Sequence, residues 1–324
     1  MSKILVTGAA GFIGSHLTEL LAESGNKVRA FIRYNSRNER GWLEHSPVLS
    51  KLEIAIGDVR DFDAVFCAME GCDAVFHLAA LIGIPYSYVS PLAYVRTNGE
   101  GTYNVLEAAR QHKVSQVIIT STSETYGSAQ YVPMDERHPA VGQSPYSASK
   151  IGADQLAISY HRSFGLPVKI VRPFNTYGPR QSLRAVIPTI ITQLLAGQKT
   201  IRLGNLRPTR DLTFVKDTVR GFEAIYRSSN LIGQVTNIGM NTEISVGDLA
   251  HLIGRLLDCP LEIAAEPERV RVTDSEVDQL RCDNSKLLQH TDWRPAYTLE
   301  TGLRETIQSF RGRPPVANAL AYTI

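Results

Sequence analysis

The sequence predicts an α/β protein: a doubly wound parallel sheet with a smaller carboxy-terminal lobe. Three observations lead there. Short β-branched runs alternate with longer segments of helical period through the first half of the chain. Those runs are apolar throughout, the composition of strands covered on both faces. The first runs directly into Gly8-Ala9-Ala10-Gly11-Phe12-Ile13-Gly14, a glycine turn between a strand and a helix.

Taken in order, strands are expected at 4–6, 28–32, 52–56, 74–78, 116–120 and 168–172, with helices between them at 12–23, 62–69, 99–112 and 147–164. The second half is less regular. Its helical patterns lie at 186–196, 216–226, 246–257 and 301–310, its short strands at 201–203 and 235–238, and its turn clusters at 205–209 and 265–268. The expected organisation is a dinucleotide-binding domain over 1–175, completed by parts of about 210–240, and a lobe over 176–312 that is mainly substrate-binding. Residues 313–324, which include the paired prolines Pro314 and Pro315 and show no periodicity, are expected to form a tail.

Bulk properties exclude several function classes. With 34 basic and 32 acidic residues among 324, the net charge of +2 offers no polycationic surface for nucleic acid or membrane. No apolar run approaches the roughly 20 residues of a membrane span. The start, Met1-Ser2-Lys3 followed by a strand, has no signal-peptide pattern, so export is not expected. Cys67, Cys72, Cys259 and Cys282 lack metal-like spacing, so no metal is expected and a reduced cytoplasmic setting suits them.

The glycine turn implies a nucleotide cofactor. Without Cβ atoms, Gly8, Gly11 and Gly14 let the chain turn tightly and approach a pyrophosphate. The open N–H groups of the helix start, with Phe12 and Ile13, face its negative charge. Asp58 and Val59 after the third strand are placed to bracket an adenine, and Leu78, Ala79 and Ala80 after the fourth to pass beneath the cofactor. Thr120 and Pro173, at the next two strand ends, complete the candidate set. A carboxylate after the second strand would accept from ribose hydroxyls, but the chain there reads Phe31-Ile32-Arg33-Tyr34-Asn35-Ser36-Arg37. With Asn35 and Ser36 beside two cations, charge tilts the choice between NAD and NADP toward NADP. The alternative is that Arg33 and Arg37 are solvated surface charges.

Tyr146 and Lys150 are four apart at the start of a helix and therefore share one face. A neighbouring ammonium and a bound nicotinamide cation both favour phenolate, lowering the tyrosine pKa. Thr122, just past the preceding strand, can hold the same substrate hydroxyl. It opens Thr122-Ser123-Glu124, whose carboxylate points to chemistry beyond hydride transfer.

These motifs, with His77-Leu78-Ala79-Ala80, the stretch 172–180 and Thr209-Arg210-Asp211, resemble the extended short-chain dehydrogenases/reductases acting on nucleotide-sugars, from Lys3 to about Phe310. In that group simple 4-epimerases generally have an apolar residue where this chain has Glu124, whereas 4,6-dehydratases have an acid. The resemblance therefore implies oxidation at sugar C4, removal of the acidified C5 hydrogen by Glu124, loss of the C6 hydroxyl as water, and hydride return to C6. In dTDP-glucose 4,6-dehydratases an aspartate suited to protonating that hydroxyl precedes the glutamate. Here it is Ser123, similar to the Thr-Ser-Glu pattern of GDP-mannose 4,6-dehydratases, in which one glutamate serves as base and acid.

UDP-glucuronate decarboxylases resemble the chain at the same three residues, which keeps a decarboxylase or a 4-epimerase as alternatives. The wider match is to the dehydratases of legionaminic acid biosynthesis, through Tyr34-Asn35-Ser36, Gly41-Trp42-Leu43, Tyr86-Ser87-Tyr88, Arg184-Ala185-Val186-Ile187-Pro188 and Arg207-Pro208-Thr209-Arg210-Asp211. It implies UDP- or GDP-N-acetylglucosamine as substrate. Asn175 and Arg210 match positions that contact the diphosphate in related enzymes, with Arg269 or Arg271 as a second cation. Val186, in the stretch 185–188, is a candidate for the base pocket, the alternative being ordinary core, and Tyr86 either flanks the sugar or packs the lobe. For Arg210 the alternative is a structural ion pair with Asp211. The helices at 99–112 and 147–164 resemble the pair that forms a homodimer interface in this group.

Overall fold

The structure, a computed structural model, describes residues 1–270 and 272–311. The chain begins as β1 (Lys3–Thr7), which is buried from Ile4 onward, and turns through Gly8 into α1 (Phe12–Glu23). It continues through β2 (Lys27–Arg33), β3 (Leu52–Gly57), α2 (Phe62–Met69) and β4 (Ala74–His77). Two short helices, α3 (Ile84–Val89) and α4 (Pro91–Tyr94), lead through a π-helical turn (Val95–Glu100) into α5 (Gly101–His112). Then come β5 (Gln116–Thr120), a 3₁₀ turn (Ser123–Tyr126), α6 (Pro145–Phe164) and β6 (Val168–Pro173).

Helix α6 starts where it does for local reasons. Ser144 and Ser147 form a reciprocal capping box, Pro145 occupies the first turn, and Gly165 ends the helix in the left-handed region. Tyr146 is thereby fixed in the first turn and Lys150 one turn on.

The remaining elements are β7 (Asn175–Tyr177), α7 (Val186–Leu195), β8 (Thr200–Leu203), β9 (Thr209–Arg210), β10 (Leu212–Phe214), α8 (Val215–Arg227), β11 (Val235–Ile238), β12 (Ile244–Ser245), α9 (Val246–Leu256), β13 (Glu262–Ala265), β14 (Gln279–Leu280), α10 (Ser285–His290) and α11 (Leu299–Arg311). Seven strands form one parallel sheet in the order β3-β2-β1-β4-β5-β6-β11. Side chains alternate between two cores: Ile4, Val6 and Phe76 face one, Leu5 and Val75 the other. This is the doubly wound class the sequence predicts. The order reverses between β1 and β4, and in such sheets ligands bind at the strands' carboxyl ends beside that point.

The sequence reading placed nothing at α3 and α4. Pro85 and Pro91 break that stretch into pieces too short to show a helical period. The turn cluster expected at 265–268 follows β13 and includes part of a 3₁₀ turn (Pro267–Arg269). Beyond the main sheet, β8 pairs with β13, β10 with β7, and β9 lies between β12 and β14, so strands far apart in sequence build the smaller sheets. The expected tail and Arg271 lie outside the described residues.

Candidate active site

At the end of β1, Gly8 has φ +70°, and a Cβ there would lie 2.7 Å from the backbone nitrogen of Ala79. A Cβ on Gly14 would lie 2.1 Å from the carbonyl oxygen of Gly8. Both glycines are therefore demanded by close backbone approach, and Leu78 and Ala79 press against the turn from below. Gly11 caps α1 with no side-chain hydrogen bond, and no acid stands in the first turn. The N–H groups at the start of a 12-residue helix thus open onto the switch point with their partial positive charge uncancelled. That cradle fits the pyrophosphate of a nicotinamide dinucleotide.

A cavity of about 240 Å³ lies past the ends of β2 and β3, lined by Arg33, Tyr34, Asn35, Ser36, Asn38 and Glu39 with Ile32 and Ile56. Asn35 shapes it: its Oδ1 accepts from the backbone N–H groups of Arg37 and Glu39 at 3.1 and 3.0 Å. Glu39 went unnoticed in the sequence because it lies six residues past the strand. It is an acid on the same cavity, 3.7 Å from Arg37. Asp58 is gripped by Arg60 at 2.9 and 2.6 Å, which holds its carboxyl below the usual range against the opposing effect of burial. Val59 is buried against Gly101.

Behind the glycine turn lies a chain of buried hydrogen bonds. The Ala79 N–H donates to Thr7 Oγ1 at 3.2 Å, and the Thr102 hydroxyl donates to the Asn98 carbonyl at 2.6 Å. His77 bridges the two threonines, with Nδ1 2.8 Å from Thr7 and Nε2 3.2 Å from Thr102. The Thr102 proton is already committed, so His77 donates from Nε2 and accepts at Nδ1, which makes it neutral. Burial first, and then the charge of Lys150, push its pKa down to about 3.

Thr122, Ser123, Glu124, Tyr146 and Lys150 meet at the carboxyl end of β5. Lys150 Nζ donates to the Thr120 carbonyl at 2.6 Å. Thr120 thus holds the lysine, while its own hydroxyl is buried without a partner among the described residues. Thr122 Oγ1 accepts from the Glu124 N–H at 3.3 Å, setting the turn that carries the acid. Glu124 is 9 % exposed, and among the described residues its carboxylate accepts no hydrogen bond.

Without a cofactor, the protein's own groups favour the neutral phenol at Tyr146. In the protein alone the Tyr146 phenol is raised well above the ordinary tyrosine range: burial dominates, Thr122 lowers it by hydrogen bonding, and the charge of Glu124 raises it further. Lys150 does not reverse this, because burial lowers its own pKa against the opposing pull of Asp154. A cation bound beside the phenol would favour its ionised form.

Of the residues expected at the substrate, Asn175 lies at the start of β7 with Oδ1 buried and, among the described residues, unpartnered. Arg210 does not pair with Asp211. Its Nη2 meets Glu276 Oε1 at 3.3 Å and its Nη1 donates to the Thr209 carbonyl at 2.9 Å. Asp211 is instead enclosed by backbone donors, including Met240 at 2.8 Å and Cys282 at 3.0 Å, and burial pushes it up to about 6. Arg269 is ion-paired with Glu266. Val186 opens α7 and packs partly on the core. Tyr86 lies half-exposed 6.1 Å from the ring of Tyr94, itself 6.2 Å from that of Tyr146. Glu276, Tyr94 and Asp154 carry no local signature by which sequence reading could find them.

A glycine turn at the switch point, with a threonine, tyrosine and lysine gathered at the next strand ends, defines an extended short-chain dehydrogenase/reductase. The description of the GDP-mannose 4,6 dehydratase family matches residues 5–306, and the chain belongs to that family. It is 33 % identical over 313 residues to a dTDP-glucose 4,6-dehydratase of Streptomyces antibioticus, covering 95 % of this chain and 92 % of that one. It is 32 % identical over 319 residues to a UDP-N-acetyl-alpha-D-glucosaminuronate decarboxylase of Bacillus cytotoxicus, covering 95 % and 98 %. The crystal structure of a dTDP-glucose 4,6-dehydratase from Streptomyces venezuelae with NAD and TYD bound superposes with a TM-score of 0.84 at 30 % identity, covering 95 % of this chain and 97 % of that one. The chain is an enzyme of the nucleotide-sugar 4,6-dehydratase class that works with a nicotinamide cofactor.

Proposed function

We propose that the enzyme converts UDP- or GDP-N-acetylglucosamine to its 4-keto-6-deoxy derivative, as in legionaminic acid biosynthesis. The observation that carries the elimination step is the buried, unpartnered Glu124 carboxylate in the turn beside Tyr146. A nicotinamide cofactor held at the glycine turn would supply the acceptor for the C4 hydride and the donor for its return to C6. Tyr146 takes the proton of the C4 hydroxyl while Thr122 holds that hydroxyl and Lys150 fixes the geometry. The C4 ketone acidifies C5, Glu124 removes the C5 proton, and the C6 hydroxyl leaves as water. With Ser123 in the preceding position no second acid stands beside it, so Glu124 also delivers the proton to the leaving hydroxyl.

The sugar specificity rests on the wide match through Tyr86, Arg184–Pro188 and Arg207–Asp211. Asn175, Arg210 and Arg271 would hold the diphosphate, Val186 the base and Tyr86 the sugar. Gly8, Gly11, Phe12, Ile13 and Gly14 would hold the pyrophosphate, with Asp58, Val59, Leu78, Ala79, Ala80, Thr120 and Pro173 along the rest of the dinucleotide. Arg33 and Arg37 favour NADP, and Glu39 on the same cavity narrows the margin over NAD. Calorimetric titration with each cofactor separates the two. A homodimer through α5 and α6, which expose Tyr103 and Phe164, a cytoplasmic setting, and the division at about residue 175 belong to the same reading. Light scattering of the purified chain at twice 35.7 kDa supports the dimer, and a mass of 35.7 kDa contradicts it.

The test of the activity is mass spectrometry and proton NMR of the purified enzyme with UDP- and GDP-N-acetylglucosamine, and UDP-glucuronate alongside. Loss of one water with a new C6 methyl signal supports the dehydratase. Carbon dioxide released only from UDP-glucuronate moves the function to the decarboxylase, the reading that Ser123 and the Bacillus cytotoxicus relative favour.

A further inference from the structure

Asp154 lies one turn beyond Lys150 on α6 and is almost fully buried. Its Oδ2 accepts from the Ser121 hydroxyl at 2.6 Å and from Arg172 Nη2 at 2.7 Å, while its Oδ1 is buried with no hydrogen-bond partner among the described residues. Ser121 stands between Thr120, whose carbonyl holds Lys150, and Thr122. The Arg172 guanidinium, on β6, lies 4.4 Å over the ring of Tyr126, two residues past Glu124. The Tyr126 hydroxyl donates to Asn237 Oδ1 on β11 at 2.8 Å. One carboxylate therefore ties together each segment that carries a group of the proposed chemistry.

We propose that Asp154, through its buried pair with Arg172, is a positioning residue that registers α6 against β5 and β6 and sets the electrostatic environment of the Tyr146–Lys150 couple. This rests on the reading that those two residues carry the C4 proton transfer. A pair kept only for packing would be replaceable by apolar side chains, since burying charges is unfavourable unless geometry compensates. Here the charge has a second use. Asp154 is the charged neighbour that opposes the lowering of the Lys150 pKa by burial. The groups facing Tyr146 are Thr122 and Glu124 from the 3₁₀ turn, Tyr94 from α4 and Asp154 from its own helix. Lys150 in turn faces His77 from β4. Asp154 and Glu124 both oppose the phenolate, so removing the Asp154 charge makes Tyr146 more acidic.

The test compares wild type, Asp154→Asn and Tyr146→Phe, each loaded with cofactor and labelled with ¹³Cζ-tyrosine. The Tyr146→Phe spectrum assigns the Tyr146 signal, whose titration is then followed by NMR beside the pH profile of C4 oxidation. In Asp154→Asn both the Tyr146 titration and the acid limb of the profile move down by about one pH unit, and turnover falls by up to roughly 100-fold from misplacement. Should that variant fail to fold, Asp154→Asn/Arg172→Gln removes both buried charges and is read by the same two shifts. An unmoved Tyr146 titration, whatever happens to rate or melting temperature, overturns the proposal and leaves Asp154 a structural residue. Full activity in Tyr146→Phe would instead sink the underlying assignment.

Discussion

Lys150 donates its ammonium proton to the main-chain carbonyl of Thr120 at 2.6 Å, which hooks the second turn of α6 onto the last residue of β5. This bond sets how deeply the helix sits, and so where the Tyr146 phenol lies relative to Thr122 and Glu124. Lys150→Met keeps the stem and removes the hook. Single-turnover C4 oxidation should fall by about 10²–10⁴-fold, with the melting temperature changed far less. Oxidation at the wild-type rate would remove Lys150 from the chemistry.

Glu124→Gln preserves size and hydrogen-bonding capacity but removes the base. Cofactor reduction on substrate addition should persist, because Tyr146, Thr122 and Lys150 remain. Loss of water should slow by about 10²–10⁴-fold, and exchange of the C5 hydrogen with solvent should slow with it. Normal dehydration by this variant would show that another group takes the C5 proton.

Gly14→Ala tests the cofactor cradle. Its Cβ would meet the Gly8 carbonyl at 2.1 Å, a backbone clash that no side-chain movement relieves. Cofactor affinity should drop by at least about tenfold, with stability lowered by roughly 1–3 kcal/mol, read by calorimetry and urea unfolding. At Gly25, where an added Cβ meets nothing within 4 Å, the positive φ of +86° still strains an alanine, so Gly25→Ala should cost some stability and leave cofactor binding intact.

His77 gives a pH dependence of stability. Its folded pKa of about 3 lies below the 6.5 of the unfolded chain, so between those values the unfolded state binds the extra proton. Stability contributed by neutral His77 is complete above pH 6.5 and is lost as pH falls, by about 2 kcal/mol at pH 5. His77→Gln, which cannot take up that proton, should show a shallower loss between pH 7 and 5 in urea unfolding. Equal slopes for the two proteins would rule out this contribution.

Arg210, on β9, and Glu276, three residues ahead of β14, form an ion pair that exists only once the lobe has folded. An incoming diphosphate competes with that carboxylate for the guanidinium. Arg210→Ala should raise KM for the nucleotide-sugar by about 10–100-fold, the loss of a charge-assisted contact, with kcat less affected. A change confined to kcat would place Arg210 elsewhere in the cycle.

The class of fold was legible because its demands are local. Strands covered on both faces must be apolar throughout, and a backbone that passes within 3 Å of another requires glycine, as at Gly8 and Gly14. The glycine turn, the Thr122–Glu124 turn and the Tyr146/Lys150 spacing were visible for the same reason, since each is set within one turn or one helix. What stayed hidden depends on residues distant in the chain. Glu276 is 66 positions from Arg210 and Arg172 is 18 from Asp154, and no spacing announces either pair. How completely the Tyr146 phenol is buried was hidden too, because that depends on segments brought together only by the fold. α3 and α4 were missed because prolines cut them below the length at which periodicity shows.

The central claim is that hydride leaves C4 and returns to C6 of the same sugar molecule while water is lost between C5 and C6. It is tested most directly with UDP- and GDP-N-acetylglucosamine deuterated at C4, turned over in ordinary water and examined by NMR and mass spectrometry. The account predicts a 4-keto product whose C6 methyl carries one deuterium, with the C5 hydrogen drawn from solvent. Deuterium retained at C4, or a C4 epimer without loss of water, would contradict it.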